Sequence, residues 1–206
     1  MAIASHTEIL RLVSADGEVI ADSEVLRGTW STEQYLRLTD YCQSCRLIEF
    51  TDGTIEVLPM PTDRHQVIVR FLLFALSAFL HPNGNVLFAP LRLKVREGKF
   101  REPDLLAVLD ADDARRQDAY WLGADLVMEV VSPDSVERDT SVKRADYAEG
   151  GIQEYWIVNP IEEVITVLRL SGDQYAEHGV FQRGDTATSA LLEGFSIRVD
   201  ELFDAR

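Results

Sequence analysis

Two acidic residues interrupt apolar runs in this 206-residue chain. In "DLVMEVVSPD", Glu129 follows Leu126, Val127 and Met128 and precedes Val130 and Val131. A run with β-branched residues and no turn former reads as a buried strand. An uncompensated carboxylate there costs several kcal/mol, so it is protonated, paired with a cation or bound to metal. Asp104 opens a second apolar run, "PDLLAVL". Two carboxylates on neighbouring strands of one sheet make an oxygen-ligand site for a hard cation such as Mg²⁺, which offsets the cost of desolvating each acid. The competing reading is a pair of strand-end acids, partly exposed or held by Arg101 or Arg92, and spacing does not separate the two.

A lysine would complete such a site. Strand alternation puts residue 131 on the face of Glu129, but that position is Val131. The nearest candidate is Lys143, on the helix that leaves the strand. Asp139, Lys143 and Tyr147 recur there at i, i+4 and i+8 and form one stripe. Lys143 either serves the acids, orienting a water or steadying charge on a phosphate, or pairs with Asp139 on a solvated face. The latter pairing is worth only a few tenths of a kcal/mol. Further upstream, Leu91, Leu93 and Val95 alternate with Arg92, Lys94 and Arg96, so three cations share one strand face, with Lys99 and Arg101 close by. That face either steers a phosphate backbone or is the solvent side of an amphipathic strand.

The elements that must position these residues can be read in order. Residues 7–21 form a hairpin around Asp16-Gly17. "TWSTEQYLRLTD" is a short helix capped at Ser31, with Gln34 completing a capping box. "RLIEFTDGTIEVL" is a hairpin turning at Asp52-Gly53. The longest helix runs from Thr62 to about Leu80 and ends at "HPNG". A strand reaches Arg96, Glu97-Gly98-Lys99 turns the chain, and a second strand continues to Leu109. The Glu129 strand is the third. "RDTSVKRADYAEGG" is a helix stopped by Gly150-Gly151, and "QEYWIVN" is the fourth strand. Strands near 163–170 and 174–181 make a C-terminal hairpin, and a short segment closes on Leu202 and Phe203. The strand–helix–strand unit over 125–159 implies a parallel pair with a right-handed crossover, and the hairpin before it makes the sheet mixed. The expected class is α/β (α+β), a mixed twisted β-sheet flanked by helices.

Composition narrows the function. Net charge is −15, from 20 basic and 35 acidic side chains, which argues against a general nucleic-acid binder unless a local basic patch or a divalent ion supplies positive potential. The most apolar stretch, Val67 to Leu80, is too short to span a bilayer and contains Arg70. The N-terminus has no secretory pattern, so the expected compartment is the cytoplasm. Cys42 and Cys45 form a lone "CQSC" with no second cysteine pair, and a structural role is expected for them. His6, His81 and His178 are isolated, without metal-ligand spacing. Tyr155 and Trp156 read as core aromatics rather than a base-stacking platform, and Glu154 as a surface residue or a site neighbour.

These residues match a known family. The segments "RLIEFTDGTIEVLPMPTDRHQVIV", "REPDLLAVL", "GADLVMEVVSPDSVERDTSVKRADYAEGGIQEYWIVNP" and "GFSIRVDELF" resemble the Uma-two family of restriction endonuclease-like proteins, within the PD-(D/E)XK nuclease superfamily. The resemblance covers roughly residues 29 to 203 and leaves 1–28 as an N-terminal extension before a nuclease-like domain over 29–206. It implies that Asp104 is the aspartate of the PD motif and Glu129 the acid of (D/E)XK. Lys143 is then the lysine displaced to the following helix, and Glu49 an upstream acid that completes the cluster. The Val130 carbonyl would join the metal ligands, and His65 and Asp139 would be site neighbours. The implied activity is Mg²⁺- or Mn²⁺-dependent hydrolysis of DNA phosphodiester bonds, with Arg92, Lys94, Arg96, Lys99 and Arg101 as nucleic-acid contacts. A homodimer is the expected assembly, with no organic cofactor and no membrane. The alternative is a catalytically silent relative acting as a DNA-associated or assembly protein.

Overall fold

The computed structural model describes residues 11–13, 19–22, 30–41, 48–58, 60–133 and 136–206. The expected Asp16-Gly17 turn and both cysteines lie outside them; β1 (Arg11–Val13) and β2 (Val19–Asp22), which flank that turn, pair antiparallel. Helix α1 (Thr32–Tyr41) starts on the capping box read from the sequence. Ser31 N donates to Gln34 Oε1 at 2.8 Å, and Gln34 N donates to Ser31 Oγ at 3.1 Å. Strands β3 (Ile48–Thr51) and β4 (Thr54–Val57) form the next hairpin. Asp52 and Gly53 at its tip have φ of 45° and 90°, the paired left-handed geometry of a tight hairpin turn.

Helix α2 (Asp63–Leu80) is capped by the Thr62 side chain, which accepts from His65 N at 3.2 Å. Its apolar stripe of Ile68, Leu72 and Leu76 is fully buried. Gly84 follows because a Cβ there would stand 2.7 Å from the Val108 carbonyl oxygen. Six strands make the main sheet: β5 (Asn85–Phe88), β8 (Leu105–Val108), β9 (Leu126–Val130), β10 (Glu154–Asn159), β11 (Val164–Ser171) and β12 (Gln174–Phe181). Their spatial order is β12-β11-β10-β9-β8-β5; β9 and β10 are parallel, and every other neighbouring pair is antiparallel. The expected crossover over 125–159 therefore supplies the one parallel pair of a mixed sheet.

One expectation fails. The strand read through to Leu109 is two strands in two sheets. Pro103 has no N–H for a ladder, and the chain leaves β7 (Lys99–Arg101) at Glu102-Pro103 to enter β8. With β6 (Leu93–Arg96), β7 joins the first hairpin in a second sheet ordered β4-β3-β7-β6. The β6–β7 register also shifts between Lys94 and Arg96, so the alternation of cations is broken by a bulge.

The central strands β8, β9 and β10 are buried on both faces of the main sheet. On one, Leu105, Ala107, Leu126, Met128 and Trp156 pack with α2 and with α4 (Val199–Asp204), the helix that carries the buried Leu202 and Phe203. On the other, Leu106, Val127, Val131 and Tyr155 pack with Tyr147 of α3 (Lys143–Glu149). A π-helical turn over Arg138–Val142 precedes α3, so the expected helix begins irregularly. Tyr155 and Trp156 are fully buried core residues. β13 (Thr186–Thr188) and β14 (Ser196–Arg198) form a small closing pair. Among the described residues, no helix is long and apolar enough to cross a membrane.

Glu154 is neither at the surface nor at the candidate site. It is fully buried and accepts from Trp156 Nε1 (2.6 Å), Ser189 Oγ (2.7 Å), Ala190 N (2.6 Å) and Leu191 N (2.7 Å), fastening the 189–192 loop to the sheet. Removing it strands Trp156 Nε1, Ser189 Oγ and Ala190 N, each costing about 1–3 kcal/mol if left unpaired, while Leu191 N keeps a second acceptor in Ser189 Oγ at 3.1 Å. Glu154→Ala is expected to lower stability by at least about 3 kcal/mol in urea unfolding; a loss under about 1 kcal/mol would contradict this role.

Candidate active site

The β8–β9 register brings the two anomalous acids together. Leu105 pairs with Met128 and Leu106 with Val127, so one step further sets Asp104 opposite Glu129. Residues directly opposite in antiparallel strands point to the same face. Asp104 is 9% exposed and Glu129 2%. Asp104 Oδ2 accepts from Val130 N at 2.8 Å and meets His65 Nε2, from the first turn of α2, at 3.1 Å. Glu129 Oε1 meets Lys143 Nζ at 2.8 Å and accepts a hydrogen bond from the Tyr147 hydroxyl. Each acid thus spends one oxygen on protein donors.

The helical stripe faces inward. Asp139, Lys143 and Tyr147 are 2%, 5% and 0% exposed, and Lys143 Nζ lies 3.1 Å from Asp139 Oδ1. The solvated Asp139–Lys143 pair is therefore excluded, and Lys143 bridges the Glu129 strand and its own helix. The fixed charges set the protonation. Burial pushes Glu129 up to about 8, against the pull of Lys143 and with the help of Asp104 and Asp139. Burial works to lower the Lys143 pKa, but Glu129, Glu49, Asp139 and Asp104 outweigh it, so the ammonium keeps its proton. For His65, burial of the ring is outweighed by hydrogen bonding and charge from Asp104 and by the Val130 backbone, and the net shift is upward.

Glu49 lies close enough to raise Lys143, yet its carboxylate has other partners. Oε1 accepts from Glu102 N at 3.1 Å, and Oε2 is gripped by Arg138 and lies 3.5 Å from Arg101 Nε. Glu102 in turn accepts from Ile48 N at 2.9 Å, and its carboxyl is pushed up to about 7, chiefly by burial. Arg138, which the sequence reading passed over, also reaches Glu56 at 2.6 Å and so ties the π-helical turn to β3 and β4.

The expected basic face is not an open face. Lys99 and Arg101 are 8% and 5% exposed and converge on Asp146 of α3, at 2.7 Å and 2.6 Å. Arg96 pairs with Asp52 (2.7 Å) and Glu149 (2.8 Å), Lys94 with Glu97 (2.7 Å), and Arg92 donates to the Ala119 carbonyl at 2.9 Å. These cations brace the second sheet against α3 and neighbouring loops.

Among the described residues, no three His, Cys, Asp or Glu side chains form a group that could hold a metal ion. The donor chemistry still fits one class of ion. Mg²⁺ dehydrates reluctantly and binds through one or two carboxylates, keeping waters and taking phosphate oxygens for the rest. Asp104 and Glu129 supply that pair, while Glu49 is committed to two guanidinium groups.

The fold is restriction-endonuclease-like. A family model described as "Uma2: Putative restriction endonuclease" matches residues 24–200, and the chain belongs to that family. Its structure is similar to the crystal structure of "a putative nuclease belonging to DUF820" from Anabaena variabilis ATCC 29413. The TM-score is 0.64 at 18% identity, over 76% of this chain and 89% of that one, a likeness of fold. No curated protein matches the chain.

A raised Glu129 fixes the sign of a pH effect. The folded protein holds this proton between its ordinary value of 4.5 and about 8, so without metal the Glu129 contribution to stability falls as pH rises through that window. A divalent ion takes the ionised carboxylate and must displace the proton. Mn²⁺ affinity measured by calorimetry is expected to rise with pH by up to about tenfold per unit and to flatten above about 8, while Glu129→Gln loses Mn²⁺ binding across the whole pH range. A flat wild-type profile would count against the assignment.

Proposed function

We propose that the protein is a divalent-metal-dependent nuclease that hydrolyses DNA phosphodiester bonds at the Asp104–Glu129 pair. The observation that carries this reading is the register of β8 on β9, which sets the two acids opposite each other beside the Lys143 ammonium, 2.8 Å from Glu129. Family membership supports it independently.

In this reading Asp104 and Glu129, with the Val130 carbonyl, hold Mg²⁺ or Mn²⁺. The ion, when bound, lowers the pKa of a coordinated water and polarises the scissile phosphate. Lys143 keeps its proton and so donates hydrogen bonds and positive charge toward the attacking water or the developing phosphorane oxygens. Its amine cannot act as the base while that charge is held by four acids. Glu49 acts at one remove: it draws Arg138 and the π-helical turn that carries Asp139 toward the site. Cutting both strands of a duplex needs two such sites, and a homodimer is the simplest assembly that supplies them.

The second reading, a catalytically silent member of the family, is favoured by one observation. Glu129 and Glu49 already have cationic partners, so the cluster is internally compensated before any ion arrives. Plasmid nicking separates the two. Wild-type protein with Mg²⁺ or Mn²⁺ is expected to convert supercoiled to open-circular DNA, and Asp104→Asn, Glu129→Gln and Lys143→Ala to lose at least about a hundredfold in rate. Equal rates in all four proteins would remove the nuclease reading; a folded wild type that binds the ion without nicking would favour the silent one.

A further inference from the structure

Each acid of the candidate site is held through one oxygen by a side chain with no other assigned task, and the two come from helices on opposite faces of the sheet. His65, in the first turn of α2, gives Nε2 to Asp104 Oδ2 at 3.1 Å. Tyr147, in α3, gives its hydroxyl to Glu129 Oε1. Neither residue touches the other's acid, yet their acids are opposite partners in the β8–β9 register. We propose that His65 and Tyr147 are positioning residues, each fixing one carboxylate through a single oxygen so that the other oxygen is presented for a divalent ion. This rests on the metal-dependent reading of the same site.

Three features favour positioning over packing. The His65 side chain is 9% exposed, and its Nδ1 is buried without a hydrogen-bond partner among the described residues. Burying a ring nitrogen unpaired costs free energy, and the bond to Asp104 is what the ring gains in that place. Tyr147 is fully buried and locked edge-on against Tyr155, with centroids 5.0 Å apart and planes at 75°. Tyr155 is fixed in turn by its hydroxyl, which donates to the Asp139 carbonyl at 2.8 Å. The Tyr147 hydroxyl therefore has one direction available. Third, a phenol is an uncharged donor, kept protonated by burial and by Glu129 itself. It orients the carboxylate without adding a positive charge that repels a cation, which Lys143 on the same oxygen does add. Groups that orient metal ligands from behind in this way typically change metal affinity about 10–100-fold when removed.

The test is Mn²⁺ binding, measured by the electron paramagnetic resonance signal of free Mn²⁺, on wild type, Tyr147→Phe, His65→Ala, His65→Gln and Glu129→Gln, with thermal unfolding in EDTA run alongside. Tyr147→Phe deletes one hydroxyl, and His65→Gln keeps an N–H near the Nε2 position. Tyr147→Phe and His65→Ala are expected to weaken Mn²⁺ binding about 10–100-fold, with His65→Gln restored to within about threefold of wild type. Should Tyr147→Phe fail to fold, the His65 pair decides, because a packing defect would not be repaired by a donor alone. Wild-type affinity in Tyr147→Phe and His65→Ala, with binding lost in Glu129→Gln, overturns the positioning role and leaves the metal site standing. No Mn²⁺ binding by wild type overturns both.

Discussion

The organising constraint is a carboxylate in the middle of a strand that is buried on both faces. Glu129 cannot be hydrated there, so burial raises its pKa and its ionised form is reached only as far as its surroundings supply what water would. Lys143 and Tyr147 supply it from α3, one with charge and one with a neutral hydrogen bond. Lys143 then has to be held in turn, and Asp139, Glu49 and Asp104 share it. Much of the surrounding architecture keeps α3 where this exchange is possible. Asp146 on α3 takes Lys99 and Arg101 of β7, and Arg138 links the π-helical turn to Glu49 and Glu56 on β3 and β4. The second sheet is in this sense a brace for the helix that serves the first.

Charge is compensated locally rather than globally. The chain carries −15 overall, yet the interior cations around α3 are matched one by one with acids. A polyanionic substrate approaching such a protein meets repulsion at long range. A divalent ion between Asp104 and Glu129 would change the sign of the potential at the point where a phosphate must sit. Arg96, Lys99 and Arg101 are already paired with Asp52, Asp146 and Glu149, so a phosphate reaching these cations would have to compete with those acids.

Local chemistry was legible in the sequence, and long-range pairing was not. The Ser31–Gln34 capping box, the Asp52-Gly53 turn and the parallel crossover were readable because each is decided within a few residues or by chain geometry. Glu129 was conspicuous because a charge in an apolar run has few physical explanations. The break at Glu102-Pro103 was also written in the sequence, since proline cannot continue a ladder, but the apolar pattern on either side hid it. The fate of Arg96, Lys99 and Arg101 was not legible at all: the acids they donate to lie 44 to 53 residues away along the chain. Nor could the stripe of Asp139, Lys143 and Tyr147 reveal whether it faces solvent or core, because i, i+4 spacing describes a helix face and not what covers it.

The central claim is that Asp104 and Glu129 share one divalent ion, and location of the ion tests it most directly. A crystal soaked in Mn²⁺ and measured at the manganese absorption edge should show an anomalous peak within about 2.0–2.4 Å of an oxygen from each carboxylate, with the Glu129→Gln crystal showing none. Side chains that keep their present partners in the soaked wild type, with manganese bound elsewhere or not at all, would contradict it.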